Sequence, residues 1–194
     1  HLPPDFNPRT RQLAQELRSA NPDASALVAA ALRHFLQSKF SYTLEPPLLG
    51  QHSVDEFLFD TRRGFCEHFA SSFVFLMRAA GVPARVVTGY QGGEINPVDD
   101  YLEVRQSDAH AWAEVWVEDE GWLRVDPTAT VAPSRVESGL AMAVPDRQLL
   151  PFALRPAFSW VREVRYRLDA ANNTWNQWVL GYNPQRQKEF LQRL

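Results

Sequence analysis

Arg62-Arg63-Gly64-Phe65-Cys66-Glu67-His68-Phe69-Ala70 holds the only cysteine of this 194-residue chain. A glycine and an aromatic residue precede the thiol. A helix pattern follows it: Phe69, Phe73, Leu76 and Ala80 recur on one stripe, with Ala70 and Met77 beside them. Gly81 supplies a left-handed stop and Pro83 forbids continuation. The spacing predicts a buried helix over 66–80, with Cys66 as its first residue or its cap. There the unpaired N–H groups and the helix dipole favour thiolate, the reactive form. A free cysteine is also at home as a small core hydrophobe. Residues further along decide between the two readings.

Ser107-Asp108-Ala109-His110-Ala111-Trp112-Ala113-Glu114-Val115-Trp116-Val117 and Gly121-Trp122-Leu123-Arg124-Val125-Asp126-Pro127-Thr128 each read as a strand, alternating and rich in β-branched and aromatic residues. In the first, His110, Trp112, Glu114 and Trp116 share a face. In the second, Trp122, Arg124 and Asp126 share one. The polar link Glu118-Asp119-Glu120-Gly121 predicts a hairpin. An odd loop, or a single bulge, puts His110 and Asp126 on one face as diagonal neighbours within side-chain reach. A two-residue loop puts them on opposite faces. Catalysis therefore imposes a register.

A thiol at a helix start, a histidine on a strand and an aspartate on the next strand make a Cys-His-Asp arrangement. Order alone is weak evidence, since histidine and aspartate are common. The local contexts are specific: Gly-x-Cys opening an apolar helix, then Ala-Arg-Val-Val-Thr-Gly-Tyr at 84–90, Asp-Ala-His-Ala-Trp at 108–112 and Val-Asp-Pro-Thr at 125–128. Together these four blocks resemble the transglutaminase-like superfamily core, over roughly residues 40–130. They resemble most the bacterial branch that carries such a domain between membrane-spanning segments of an inner-membrane protein. The resemblance implies Cys66 as nucleophile, His110 as base and Asp126 as orienting acid. It also implies a periplasmic soluble domain tethered to the membrane in the full-length protein. Its substrates would be a peptide or protein acyl donor and an amine acceptor.

One feature departs from that pattern. Well-known eukaryotic members hold the oxyanion through a tryptophan that precedes the cysteine, and all six tryptophans here follow residue 111. The donors must be others: the backbone N–H of Cys66, plus a side chain such as Tyr42 or Gln51. Tyr42 reads equally as an ordinary strand aromatic. Trp112 reads either as a wall of the acyl tunnel or as core. Asp99-Asp100 and Glu118-Asp119-Glu120 lack the spacing of a calcium loop. The histidines and Cys66 show no paired zinc-ligand spacing. No metal and no cofactor is expected.

Composition sets outer bounds. The length suits one domain with a helical appendage, and 45% apolar residues supply a sizeable core. A net charge of −3 argues against general nucleic-acid affinity. One cysteine excludes an intrachain disulfide. No signal peptide and no apolar run near about 18 residues is present, so these residues are not expected to span a membrane.

Along the chain, Pro8–Ala20 and Pro22–Lys39 read as helices, the second capped by Asn21 and buried through Leu27, Val28, Ala31, Phe35 and Leu36. A short strand at 40–44 and a helical turn at 54–59 lead to Cys66. Strands are expected near 84–91, 101–106, 110–118 and 121–126, in one antiparallel sheet, with 91–100 a mobile loop. Residues 127–156 read as loop. Trp160, Val164, Leu168, Ala171, Trp175 and Trp178 then recur at helical spacing, as a core stripe or a docking face, and 185–194 reads as a last short helix. His68 points about 200° from Cys66 on a helix and reads as a rim or surface histidine. Arg62 and Arg63 read as solvated loop residues or as cations lowering the thiol pKa. Asp108 reads as a turn residue rather than the triad acid.

The expected fold is α+β with a papain-like core. A nucleophile-bearing helix packs on an antiparallel sheet, with N-terminal helices and a C-terminal helical extension. The expected division is a catalytic domain over 1–150 and an extension over 151–194. The expected reaction is acyl transfer from a glutamine carboxamide to a primary amine through a thioester. A cysteine peptidase or amidase shares every catalytic residue. A non-catalytic partner-binding module is the reading from another class.

Overall fold

In the computed structural model, residues 2–138 and 159–180 are described. One compact unit comprises residues 1–92 and 105–153, and a second comprises 93–104 and 154–194.

The first unit opens with α1, Pro8–Ala20, and α2, Ala24–Gln37. Pro8 suits the first helical position, where no intrahelical N–H bond is lost. The N–H groups of Arg9 and Thr10 are taken by the Asp55 carboxylate, at 2.9 and 2.7 Å. The Thr10 hydroxyl joins them at 2.5 Å. Asn7 answers from the other side, its Oδ1 accepting the N–H groups of Val54 and Asp55. A carboxylate from 45 residues away thus does the work of a helix cap.

Asn21 caps no helix start. Its N–H and side-chain amide both bond back to the Leu17 carbonyl, closing α1. Asp23 is the cap of α2, accepting the Ala26 N–H at 2.8 Å. The buried face of α2 is Leu27, Ala30, Ala31 and Phe35. Leu36 lies outside it and is exposed.

A two-residue strand β1, Ser41–Tyr42, pairs in parallel with β2, Arg63–Gly64. Between them run a helical turn α3, Ser53–Asp55, and a π-helical turn, Glu56–Thr61. The long helix α4, Cys66–Ala79, follows. Gly81 ends it at φ 79, and the Val82 N–H bonds back to Met77. Phe35, Phe57, Phe69, Phe73, Leu76 and Met77 are fully buried. Phe69 meets Phe57 edge-on at 5.1 Å and Phe35 at 6.3 Å, so α4 is clamped to α2 and to the turn that delivers it.

Strands β3, Ala84–Tyr90, β6, Ala109–Val117, and β7, Gly121–Val125, form an antiparallel sheet in the order β3-β6-β7. Ala111, Ala113, Val115 and Val117 are buried on one face, and α4 packs on β6 and β3. Alanine at 111 and 113 lets a helix backbone approach closely. The short helices α5, Thr128–Val131, and α6, Pro133–Ser138, occupy part of the stretch read as loop. Residues 139–158 and 181–194, including the expected last helix, lie outside the described residues.

The expected fourth strand of that sheet does not join it. Only Leu102–Glu103 is extended there, as β5, and it pairs with β4, Glu94–Ile95. The segment read as a mobile loop is therefore half of a small hairpin. Gly92 and Gly93 precede the hairpin at φ 94 and 147, conformations open to glycine. This hairpin belongs to the second unit with α7, Ser159–Leu180. Glu94 holds it to α7 through Arg165 and the Tyr166 hydroxyl, and Asn96 bonds the Tyr166 carbonyl. The helical period of the tryptophan stripe holds, but not its burial. Val164, Leu168 and Trp175 are exposed, and among the described side chains of this helix Ala170 is the buried one. The Trp160 and Trp178 side chains lie outside the described residues.

Candidate active site

Cys66 is the first residue of α4, after an extended Phe65. Gly64 makes this entry possible. A Cβ there would stand 2.7 Å from His68 Cβ and 2.9 Å from the Phe57 ring. Cys66 packs with Ala70 and Ala111, so the thiol lies where α4 meets β6. It is 9% exposed, shielded but reachable.

Hairpin register brings the histidine and the aspartate together. Val117 pairs with Gly121 across the three-residue loop 118–120, and Ala113 pairs with Val125. The loop is odd, with Asp119 at φ 67 and Gly121 at φ 83. His110 and Asp126 therefore share a face as diagonal neighbours. His110 Nε2 lies 2.7 Å from Asp126 Oδ2. Asp126 Oδ1 accepts the Thr128 N–H at 3.1 Å, so both carboxylate oxygens are placed.

The His110 side chain is fully buried and that of Asp126 10% exposed. Burial alone pulls the His110 pKa down. The hydrogen bond to Asp126, the neighbouring Cys66 side chain and the negative charge of both outweigh it, and the net shift is upward from 6.5. With Nε2 on Asp126, Nδ1 is the nitrogen left for the thiol. It makes no hydrogen bond of ordinary geometry, a looseness common in active sites before substrate tightens them.

A layer of side chains covers this pair. The Trp112 ring stacks on His110, 6.3 Å between centroids and 25° between planes. The Arg124 guanidinium lies over Trp112 at 4.3 Å. One Arg124 nitrogen bonds Gln91 Oε1 at 2.6 Å and approaches Asp126 Oδ2 at 3.9 Å. Gln91 in turn bonds the Val136 carbonyl. Gly89 faces His110 across the β3–β6 pair, and a Cβ there would stand 2.9 Å from the Trp112 ring. Sequence reasoning gave no role to Arg124, Gln91, Gly89 or Thr128. Only Arg124 carried a signal, its phase between Trp122 and Asp126.

The remaining sequence candidates separate. Tyr42 pairs with Gly64, two residues before Cys66, and its ring stacks on Phe69 at 6.4 Å. Gln51 is exposed. Its neighbours Leu49, Ser53 and Val54 line a cavity of about 230 Å³ with Glu67, His68, Ser71 and Ser72, on another flank of α4. His68 is half-buried, stacked edge-on against Phe65 at 4.6 Å. Burial holds its pKa below 6.5, against the opposite pull of Glu67. Arg62 turns toward the end of α2, where it bonds the Ser38 carbonyl and, after burial, is the second cause lowering the pKa of His34. Asp108 accepts the Arg105 N–H at 2.8 Å, as a turn residue. Among the described residues, no cluster of three or more His, Cys, Asp or Glu has the geometry to hold a metal ion.

Comparison with known proteins agrees with this architecture. Residues 11–127 match the Transglutaminase-like superfamily profile. The chain is 51% identical to a Pseudomonas aeruginosa protein named protein-glutamine gamma-glutamyltransferase, over 99% of this chain and 30% of that protein. It is 36% identical to YebA of Bacillus subtilis, over 66% of this chain and 18% of the relative. The crystal structure of the periplasmic domain of TgpA from P. aeruginosa superposes with a TM-score of 0.73 at 58% identity, covering 74% of this chain and 50% of that one. The chain thus spans about a third of the length of its P. aeruginosa relative and less of the other. With the helix-borne thiol, the antiparallel sheet and the profile match over most of the first unit in view, the chain belongs to the transglutaminase-like superfamily.

Proposed function

We propose that this domain catalyses acyl transfer through Cys66, His110 and Asp126, and that the reaction is transamidation of a glutamine carboxamide. The observation that carries the reading is the His110 ring, held by Asp126 at 2.7 Å on one nitrogen, with Cys66 as its other partner and its pKa raised. A raised histidine beside a thiol favours the imidazolium–thiolate pair, which is the attacking form.

The Cys66 sulfur attacks the carboxamide carbon, and the carbonyl oxygen becomes an oxyanion. The Cys66 backbone N–H, at the first position of α4, and the Tyr42 hydroxyl are the donors proposed for it. Each such donor is worth about 3 kcal/mol in comparable sites. The His110 imidazolium protonates the departing nitrogen. Ammonia leaves and a thioester remains. A primary amine then attacks the thioester while neutral His110 takes its proton. The thiolate departs and the new amide is released. Asp126 holds the ring in orientation and offsets its positive charge in both halves. Water in place of the amine gives the hydrolase outcome from the same residues.

Mass spectrometry of a glutamine peptide incubated with a primary amine tests this. Loss of ammonia with addition of the amine is expected. Cleavage of the peptide would mean a peptidase, and an unchanged peptide would favour a binding module. We also assign the domain to the periplasmic side of a membrane protein, as the TgpA structure is described. Among the described residues, no helix is long and apolar enough to cross a membrane. Fractionation of the full-length protein, with protease accessibility from the periplasm, checks that assignment.

A further inference from the structure

The sheet face that bears His110 continues well beyond the catalytic pair. Trp112, Glu114 and Trp116 follow it on β6. The pairing register adds Arg124 and Trp122 from β7 and Arg85 from β3 to the same face. The opposite face is buried under α4. This one is open, with Trp116 and Trp122 at 44% and 40% exposure. The two indoles meet edge to face at 5.6 Å. The Arg85 guanidinium lies 4.1 Å over Trp122 and pairs with Glu114 at 2.6 Å. Exposed indoles held by such contacts are a rigid surface, with little left to order when a partner lands on it.

At the end away from His110 this surface runs into a cavity of about 630 Å³, where α4 hands over to β3. Arg11, Arg78 and Arg85 line it with Trp122, and the described lining residues include no acid. Arg78 is braced by a 2.6 Å bond from Nε to the Ala84 carbonyl. Arg11 is braced by bonds to the carbonyls of Phe6 and Pro3. Those bonds leave further N–H groups on each fork for a carboxylate, which guanidinium geometry matches in pairs.

We propose that this face is an exosite for the acyl-donor polypeptide, and that the three-arginine cavity receives a carboxylate of that polypeptide. The proposal rests on the acyl-transfer reading above. Trp116 lies six residue steps along β6 from His110, about 20 Å at strand rise. The acidic side chain therefore belongs on the order of six extended residues from the reactive glutamine. A nucleic acid fits less well, since Glu114 and Asp126 lie along the path of its phosphates. A chain with an isolated acid meets aromatic surface first and the guanidinium cluster at the end.

Steady-state transamidation with three glutamine peptides tests the proposal. One is short. One extends six residues from the glutamine to a glutamate. The third carries glutamine in place of that glutamate. The glutamate peptide should show the lowest KM, with kcat shared by all three. Arg78→Gln, checked for an unchanged melting temperature, should raise the KM for the glutamate peptide about tenfold or more and leave the short peptide as it was. An Arg78→Gln enzyme that handles the glutamate peptide as wild type does, or three peptides with equal KM, would overturn the exosite. If no peptide is transamidated, binding of the glutamate peptide to Cys66→Ala, read by Trp fluorescence, judges the exosite alone. Binding that Arg78→Gln abolishes supports the exosite although the acyl-transfer reading has failed, and binding indifferent to Arg78 overturns it.

Discussion

Asp126→Asn replaces one oxygen by an amide nitrogen, and the surroundings dictate which one. Oδ1 accepts the Thr128 N–H at 3.1 Å, a bond that only an oxygen can keep. The asparagine oxygen therefore stays there, and its NH2 faces His110 Nε2 across the 2.7 Å gap. A donor now meets that nitrogen, so the ring carries its proton on Nδ1, toward the thiol. Such a tautomer cannot accept the Cys66 proton. The variant also loses the negative charge that helps raise the His110 pKa, so less imidazolium forms. In the analogous serine-protease triad the same exchange lowers kcat by about 10⁴, which is about 5.5 kcal/mol of barrier. A loss of about 10³ to 10⁴ in transamidation kcat/KM is expected here. Alkylation of Cys66 by iodoacetamide, followed against pH, should lose its component near neutrality, while the melting temperature moves little. Turnover within about tenfold of wild type, or an unaltered alkylation profile, would reduce Asp126 to a turn residue.

Gly89→Ala puts a methyl 2.9 Å from the Trp112 ring. It should destabilise the fold by about 1–3 kcal/mol in denaturant titration and slow alkylation of Cys66 as the indole is pushed on its stack with His110. Asp55→Ala strips the Arg9 and Thr10 N–H groups and the Thr10 hydroxyl of their acceptor. A loss of about 3 kcal/mol or more is expected, with activity per folded molecule retained. The histidines divide by sign. His34 and His68 have lowered pKa values. Their contribution is present above pH 6.5 and is lost as pH falls through the window between 6.5 and their folded values. His110 has a raised one; its contribution is present below 6.5 and is lost as pH rises through its folded value. Stability measured against pH should follow these opposed slopes, with His34→Phe flattening the acid limb. Excess chelator should leave turnover unchanged, and restoration by calcium alone would point to a site among scattered carboxylates.

Local chemistry made much of this protein legible. Gly-Phe-Cys before an apolar period of 3.6, with Gly81 and Pro83 after it, is enough to place Cys66 at the start of a helix. Alternation near 110–118 and 121–126 is enough to give two strands and to say which side chains share each face. Those patterns depend only on backbone geometry within a few residues. Pairing does not. The polar link 118–121 left the parity of the hairpin loop open, and the three-residue loop 118–120 is fixed only where Val117 pairs with Gly121 and Ala113 with Val125. Leu102–Glu103 is extended but pairs with Glu94–Ile95 and not with the three-stranded sheet. Asn21 and Asp23 both suit a helix start, and the end of α1 claims the first. Leu36 and the Val164–Trp175 stripe keep a helical period without burial, because a period tells which residues face together and not what covers them. Arg124, Gln91 and Thr128 gain their places around Asp126 only when three strands and a turn are assembled. The sequence marked out most of the elements and the candidate groups Cys66, His110 and Asp126. Tertiary structure alone decided partners, cover and register, because those are contacts between residues that no local pattern links.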